Sequence, residues 1–189
     1  MAFGSIKGHA QQIIMLRSAL ERGTVAHAYL FTGIPGIGKM TVAHGLAKAL
    51  NCSSGLEADF CDDCASCVMI SGGTHPDVQV IQPDGDFIKI TQIRTMQERL
   101  LYARFYERYR VVLIDRAETM NLQSANCLLK TIEEPPGNTV IILITPLPYQ
   151  IPATIRSRCQ RVAFQPLPSH QIEESLREML GADSSGTYR

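Results

Sequence analysis

Residues 27–50 read HAYLFTGIPGIGKMTVAHGLAKAL. His27–Phe31 is a short apolar run that predicts a strand, and Thr41–Leu50 carries its apolar residues at helical spacing. Between them stand Gly33, Gly36 and Gly38, followed by Lys39. Strand, glycine-rich turn and helix form the setting in which the spacing G-x-x-x-x-G-K cradles phosphate. Glycines let successive backbone N–H groups turn toward an anion, the helix N-terminus adds positive potential, and Lys39 supplies a charge for the outer phosphates. Without the strand before it, the same stretch would be a glycine turn capping an ordinary helix. The next position should offer a hydroxyl to magnesium but is Met40, whose thioether is a poor ligand for a hard cation. Thr41 follows, about 100° further round the helix. Phosphate binding is therefore expected ahead of efficient magnesium-dependent hydrolysis.

Outward from this loop, the chain alternates strands and helices. Residues 11–22 (QQIIMLRSALER) place Ile13, Ile14, Leu16, Ala19 and Leu20 near helical spacing, with Gly23 as a stop. Downstream come β-like Asp77–Ile81, a helix over Thr91–Ala103, the apolar strand Arg110–Asp115 (RVVLID), a helix over Leu122–Glu133 closed by Pro135 and Pro136, and the run Thr139–Thr145 (TVIILIT). A short strand near Arg161–Phe164 and a helix over Ser169–Leu180 finish the pattern. Strands without polar alternation, separated by helices, predict an α/β fold: a parallel sheet covered on both faces, with ligands beyond the carboxyl ends of its strands. Asp115 ends such a strand and is placed to hold magnesium through water, or to cap the turn that follows. The position after it is Arg116 rather than a carboxylate, and Glu118 comes three residues on. A cation where a water-activating base would sit is a second mark against hydrolysis.

Composition narrows the partners. The 189 residues carry 18 basic and 18 acidic side chains, so no global positive field draws the chain onto nucleic acid. The N-terminus MAFGSIKGHA lacks a signal-peptide pattern and no window is apolar enough to span a bilayer, which predicts a cytoplasmic protein without membrane contact. Four of six cysteines, Cys52, Cys61, Cys64 and Cys67, fall within sixteen residues. In a cytosolic chain that crowding indicates a metal rather than disulfides, and four soft ligands close a structural tetrahedral zinc site. The flanking residues are polar, so metal supplies folding free energy that they lack. Cys127 and Cys159 read as small buried residues. His75 lies near a ligand shell that is already full, and His27 is expected to pack at the start of its strand. The mixed-charge run ERLLYARFYERYR at 98–110 reads as a solvated helix with Leu101 and Phe105 buried. Arg158 could close a helix end, where a cation suits the macrodipole, or serve a phosphoryl-transfer site supplied in trans.

A cysteine insertion directly after the P-loop helix resembles the bacterial clamp-loader ATPases of the AAA+ family, the gamma/tau and delta-prime subunits of DNA polymerase III. HAYLFTG at 27–33, LAKALNC at 46–52, LLKTIEEPP at 128–136 and IPATIRSRCQ at 151–160 carry the resemblance over almost the whole chain. It implies a nucleotide-binding domain over 1–165 with a zinc module at 52–67, and the start of a helical lid over 166–189. It implies that Phe3–His9, with Gly8 and His9, lies beside the adenine, and that Arg158 of Ser157-Arg158-Cys159 reaches into a neighbour's ATP site. The implied nucleotide set is Gly8, His9, Gly33, Gly36, Gly38, Lys39, Met40, Thr41 and Asp115, for ATP with magnesium. The implied partners are gamma/tau and delta, and through them the sliding clamp and primed DNA. The family's C-terminal helical collar is not in this chain, so hetero-oligomer formation is expected of the full-length protein and a monomer of this segment.

Met40, Arg116 and the pair Thr145-Pro146 all depart from the hydrolysing pattern, and all belong to the chain's own ATP site. A site degraded for hydrolysis beside a retained Arg158 is the delta-prime pattern: a component of a DNA polymerase holoenzyme without ATPase activity of its own. The alternatives are an ATP-hydrolysing gamma/tau-like motor that tolerates Met40, and a zinc-bearing DNA-contact module with a vestigial P-loop. Neutral charge disfavours the latter, because DNA affinity rests on phosphate neutralisation.

Overall fold

A computed structural model describes residues 3–54, 56–102 and 108–166. Its elements in chain order are α1 (Ala10–Glu21), β1 (Ala28–Thr32), α2 (Lys39–Asn51), α3 (Ala65–Ser71), β2 (Val78–Ile81), α4 (Ile90–Leu101), β3 (Arg110–Ile114), α5 (Leu122–Glu133), β4 (Thr139–Thr145), α6 (Ala153–Arg156) and β5 (Gln160–Ala163). Short 3-10 turns occupy Phe3–Ser5, Ala117–Thr119 and Pro148–Gln150. All strand pairings are parallel, in the order β2-β3-β4-β1-β5.

Strand composition dictates strand position. The unbroken apolar runs β1 and β4 are buried along their whole lengths and lie inside the sheet, whereas β2 and β5, with polar residues, form its edges. Alternate side chains of each central strand go to opposite faces. Tyr29, Phe31, Val111, Leu113, Ile142 and Ile144 pack with Leu16 of α1 and Val42 and Leu46 of α2. Ala28, Leu30, Val112, Ile114, Ile141 and Leu143 pack with Ile93 and Met96 of α4, Leu128 and Ile132 of α5 and Ile155 of α6. Each face is thus a separate core, the expected consequence of a parallel sheet buried on both sides.

The connections leaving β1 and β4 diverge. After β1 the chain crosses to the β2 edge, and after β4 it crosses to β5. The crevice at the carboxyl ends of these two neighbours is therefore the topological switch point where α/β sheets bind ligands. Gly33, just past β1, has φ 151°, and a Cβ there would come within 2.7 Å of the Phe164 carbonyl oxygen. Backbone blocks the added atom, so Gly33→Ala is expected to cost about 2–4 kcal/mol by combined strain and overpacking. Denaturant titration reads this as a lowered midpoint with an unchanged slope, and an unchanged midpoint would count against it.

Several sequence expectations are corrected. The 98–110 run does not continue as one helix: α4 ends at Leu101, which is 81% exposed. The buried positions are Ile93, Met96 and Leu100, and Leu101 falls one helical step off that stripe. Phe105 lies outside the described residues, as do the Ser169–Leu180 helix and nearly all of the 166–189 segment. His27 is exposed rather than packed, and its carbonyl accepts from Ile141 N. Cys127 and Cys159 are half-buried rather than buried. The strand expected at Arg110–Asp115 stops at Ile114, leaving Asp115 just beyond the sheet edge.

Candidate nucleotide site, cysteine cluster and Arg158

The loop after β1 turns through Gly36 and Gly38, with φ of 74° and 101°, before α2 begins at Lys39. Gly36, Gly38, Lys39, Met40 and Thr41 share a cavity of about 580 Å³ with Asp115, Arg116, Glu118, Ile144 and Pro146. Residues predicted from two distant stretches therefore meet at the carboxyl ends of β1, β3 and β4. Lys39 is buried, and its Nζ donates to the carbonyls of Gly33 and Ile34 at 2.7 Å each. Burial pulls its pKa below the usual lysine value, opposed by the negative charges of Asp115 and Glu118. An anion with better acceptors than two carbonyls could claim this ammonium.

His9 acts from outside the cavity. It holds φ 58° at the start of α1, and its Nε2 lies 2.6 Å from the Ile37 carbonyl oxygen, so that nitrogen carries the proton and donates. Its ring also packs edge-on against Phe164. The Phe3–His9 segment is thereby tied to the glycine loop. Gly8, at φ 74°, provides the turn into His9 but does not line the cavity.

On the Asp115 side, Asp115 Oδ1 accepts from Arg116 N at 3.0 Å, and Arg116 takes φ 49°, turning the chain so that Glu118 faces the same cavity. Among the described residues, one Glu118 oxygen is buried with no hydrogen-bond partner. Its place in this cavity was not assigned from sequence, where the only signal was its three-residue spacing from Asp115 across a turn. Thr145, at the end of β4, is buried, and its Oγ1 accepts from Leu147 N at 3.0 Å. That hydroxyl oxygen thus braces the turn that follows β4.

Cys52, Cys61, Cys64 and Cys67 converge, with their sulfurs all within 4.8 Å of one another. Cys52 Sγ lies 3.6 Å from that of Cys61 and 4.0 Å from that of Cys64. A disulfide requires about 2.05 Å. Four thiolates at about 2.3 Å around a tetrahedral metal would stand about 3.8 Å apart, which these spacings bracket. The backbone N–H groups of Cys64 and Cys67 point at the sulfurs of Cys61 and Cys64, at 3.3 and 3.5 Å. The first of these bonds leads the causes that lower the Cys61 pKa. Burial pushes Cys67 up to about 12, so a thiolate there needs a cation at the centre of the cluster. The donor set thus fits a closed four-sulfur metal site. His75 takes no part: it is buried, with Nε2 2.9 Å from Ser66 Oγ.

Arg158 is not brought to the cavity beside the glycine loop. It precedes β5, where Gln160 pairs with Tyr29 at the amino end of β1. From Tyr29 to Gly33 the sheet extends about 13 Å at about 3.3 Å per residue, more than one arginine side chain covers. The guanidinium is held at the amino edge instead, with Nη2 2.8 Å from Glu133 Oε1 and Nη1 donating to the Thr154 carbonyl at 3.0 Å. The neighbouring Cys159 packs inward beside α5 and α6, and burial pushes its thiol up to about 12, so it remains a neutral anchor.

A family model described as DNA polymerase III, delta subunit, matches residues 8–168. The chain is 40% identical over 164 residues to DNA polymerase III subunit delta' of Bacillus subtilis, covering 87% of this chain and 50% of that protein. It is 35% identical over 181 residues to subunit tau of Escherichia coli, covering 96% of this chain and 28% of that one. Among solved structures, a DNA polymerase III gamma subunit-related protein from Thermotoga maritima superposes with TM-score 0.60 at 24% identity, over 88% of this chain and 49% of that one. The RuvB Holliday junction branch migration motor of the same organism gives TM-score 0.60 at 17% identity, over 90% and 50%. These structural likenesses show the RecA-like α/β fold expected from the sequence. This chain therefore spans about half the length of the delta' relative and less of tau.

Proposed function

The chain belongs to the family described as DNA polymerase III, delta subunit, and from that premise we propose that it is the nucleotide-site half of a delta-prime-like clamp-loader subunit. In this reading residues 1–165 form an AAA+ domain, with a helical lid beginning near residue 166. The full-length protein assembles with gamma/tau and delta subunits in the cytoplasm and helps to open a sliding clamp and close it on primed DNA. Its own P-loop binds nucleotide and turns it over poorly, while Arg158 serves the ATP site of a neighbouring subunit.

One observation carries this reading: the glycine loop and Arg158 lie toward opposite ends of the strands, the loop at their carboxyl ends and Arg158 at their amino ends. A guanidinium there is too far from its own cavity to stabilise phosphoryl transfer in it, and at 42% exposure it is open to a partner. Within the cavity, Lys39, Gly36 and Gly38 would hold the phosphates and Asp115 would hold magnesium through water. Met40 offers no hydroxyl and Arg116 no base. In the cysteine cluster, zinc is the proposed ion, because four cysteine sulfurs within 4.8 Å of one another suit a closed structural site.

Binding and turnover are separable in the laboratory. With a fluorescent ADP analogue, the purified protein is expected to bind nucleotide, and Lys39→Ala to weaken that binding at least about tenfold, or about 1.4 kcal/mol. Steady-state hydrolysis of magnesium-ATP by the same preparation is expected to stay at background. Turnover that Lys39→Ala abolishes would instead support the gamma/tau-like motor.

A further inference from the structure

Glu133 is the last residue of α5, where the helix macrodipole disfavours an anion. It belongs to the stretch LLKTIEEPP, to which the reading above gives no role. Its Oε1 lies 2.8 Å from Nη2 of Arg158, while Nη1 of the same guanidinium bonds the Thr154 carbonyl of α6. Two nitrogens of one rigid fork thus take acceptors from two different elements, which fixes both the plane and the bearing of the group. Both side chains are 42% exposed, so the pair adds little to stability. Its consequence is direction.

The backbone beneath Arg158 is already secure. Ile155 is buried in the core of that face, Cys159 packs beside it, and Arg158 N bonds the Ile155 carbonyl. The freedom that remains lies in the long side chain, and Glu133 removes much of it before any partner arrives. Adjacent Glu134 is exposed and turned toward a separate cavity between α4 and α5, so the two carboxylates of the motif are not equivalent.

We propose that Glu133 is a positioning residue for Arg158: it holds the guanidinium at the amino edge of the sheet in the orientation that a neighbouring subunit's phosphates require. This rests on the trans reading of Arg158 given above. The carboxylate touches no substrate, and its effect passes entirely through the arginine. Pre-orientation matters because small misplacements of a catalytic charge are costly, on the order of 10²-fold in rate for about 1 Å.

The test is a double-mutant cycle in the clamp loader assembled from full-length subunits, reading kcat and KM for DNA-stimulated ATP hydrolysis. Glu133→Ala is expected to lower kcat about tenfold at unchanged KM, part of the misplacement penalty just cited. Glu133→Gln, which keeps a neutral acceptor, should fall between Glu133→Ala and wild type, and Glu134→Gln should match wild type. In the Arg158→Ala background, Glu133→Ala should change nothing further. Additive losses, or a Glu133→Ala loader as fast as wild type or faster, would overturn the positioning role while leaving the trans arginine intact. If Arg158→Ala alone leaves turnover unchanged, the trans reading fails and this inference with it. Should Glu133→Ala assemble poorly, Glu133→Gln in the same cycle decides, since it preserves size and hydrogen bonding.

Discussion

If the four-cysteine cluster holds the proposed zinc, stripping that ion is expected to lower the melting temperature of the protein by at least about 10 °C, at about 2–4 °C per kcal/mol for a chain of this size. The reason lies in what surrounds the cluster. Its local core consists of Phe3, Ile13, Phe60 and two of the ligands themselves, Cys52 and Cys67. Phe3 and Phe60 meet edge to face at 5.2 Å, and partly buried Ile6, Leu20 and Ala49 pack against this small cluster. With the ion removed, four thiols at van der Waals spacing replace four metal bonds, and structural zinc contributes folding free energy outright. The loss should be regional. Hydrogen exchange should rise over residues 52–54, 56–64 and α3, while β1, β3 and β4, buried in cores of their own, keep their protection. Cys67→Ser should reproduce the effect, and metal analysis of the untreated protein should return about one zinc per chain, the capacity of one four-thiolate site. A metal-free protein with an unchanged melt would show that the cluster is not a structural metal site.

The second large effect falls on a partner. In a loader rebuilt from full-length subunits, Arg158→Ala is expected to reduce ATP turnover by about 10³-fold, the lower end of what a guanidinium supplied in trans contributes to phosphoryl transfer. Phosphoryl transfer spreads charge over equatorial oxygens, and a planar fork bearing several N–H groups meets it where a point charge cannot. Arg158→Lys should therefore recover little of the loss. Nucleotide affinity of the mutated chain itself should not move, because its own cavity does not include Arg158. Loss of affinity in the chain's own site would contradict the separation of the two ends.

Much of this arrangement was legible before any coordinates. The runs LFT, VVLI and VIILIT are apolar without alternation, and burial on both faces follows from that directly. Glycines at fixed spacing after such a strand located the phosphate loop, and cysteine spacing located the cluster. Other features depended on tertiary structure. Helix α3 begins inside the cysteine stretch and has only seven residues, too few to show a period, so periodicity did not reveal it. Helix α6 has only four residues, too few for a period. Leu101 seemed a core residue because the helix was expected to run on past it, yet α4 ends there and its buried stripe passes through Leu100. The Glu118 side chain reached the nucleotide cavity only through the left-handed turn at Arg116, which no residue type announced. Glu133 and Arg158 are joined by the packing of α5 against α6, across two intervening connections and a strand.

The most direct test compares Lys39→Ala with Arg158→Ala in DNA-stimulated ATP hydrolysis by the assembled loader. On the proposed reading, in which Arg158 serves a neighbour's site and the chain's own P-loop hydrolyses little, the expected result is asymmetric: Arg158→Ala slows turnover by orders of magnitude and Lys39→Ala leaves it near wild type. Equal losses from both substitutions would show a chain that hydrolyses ATP in its own cavity, and the stator reading would be wrong.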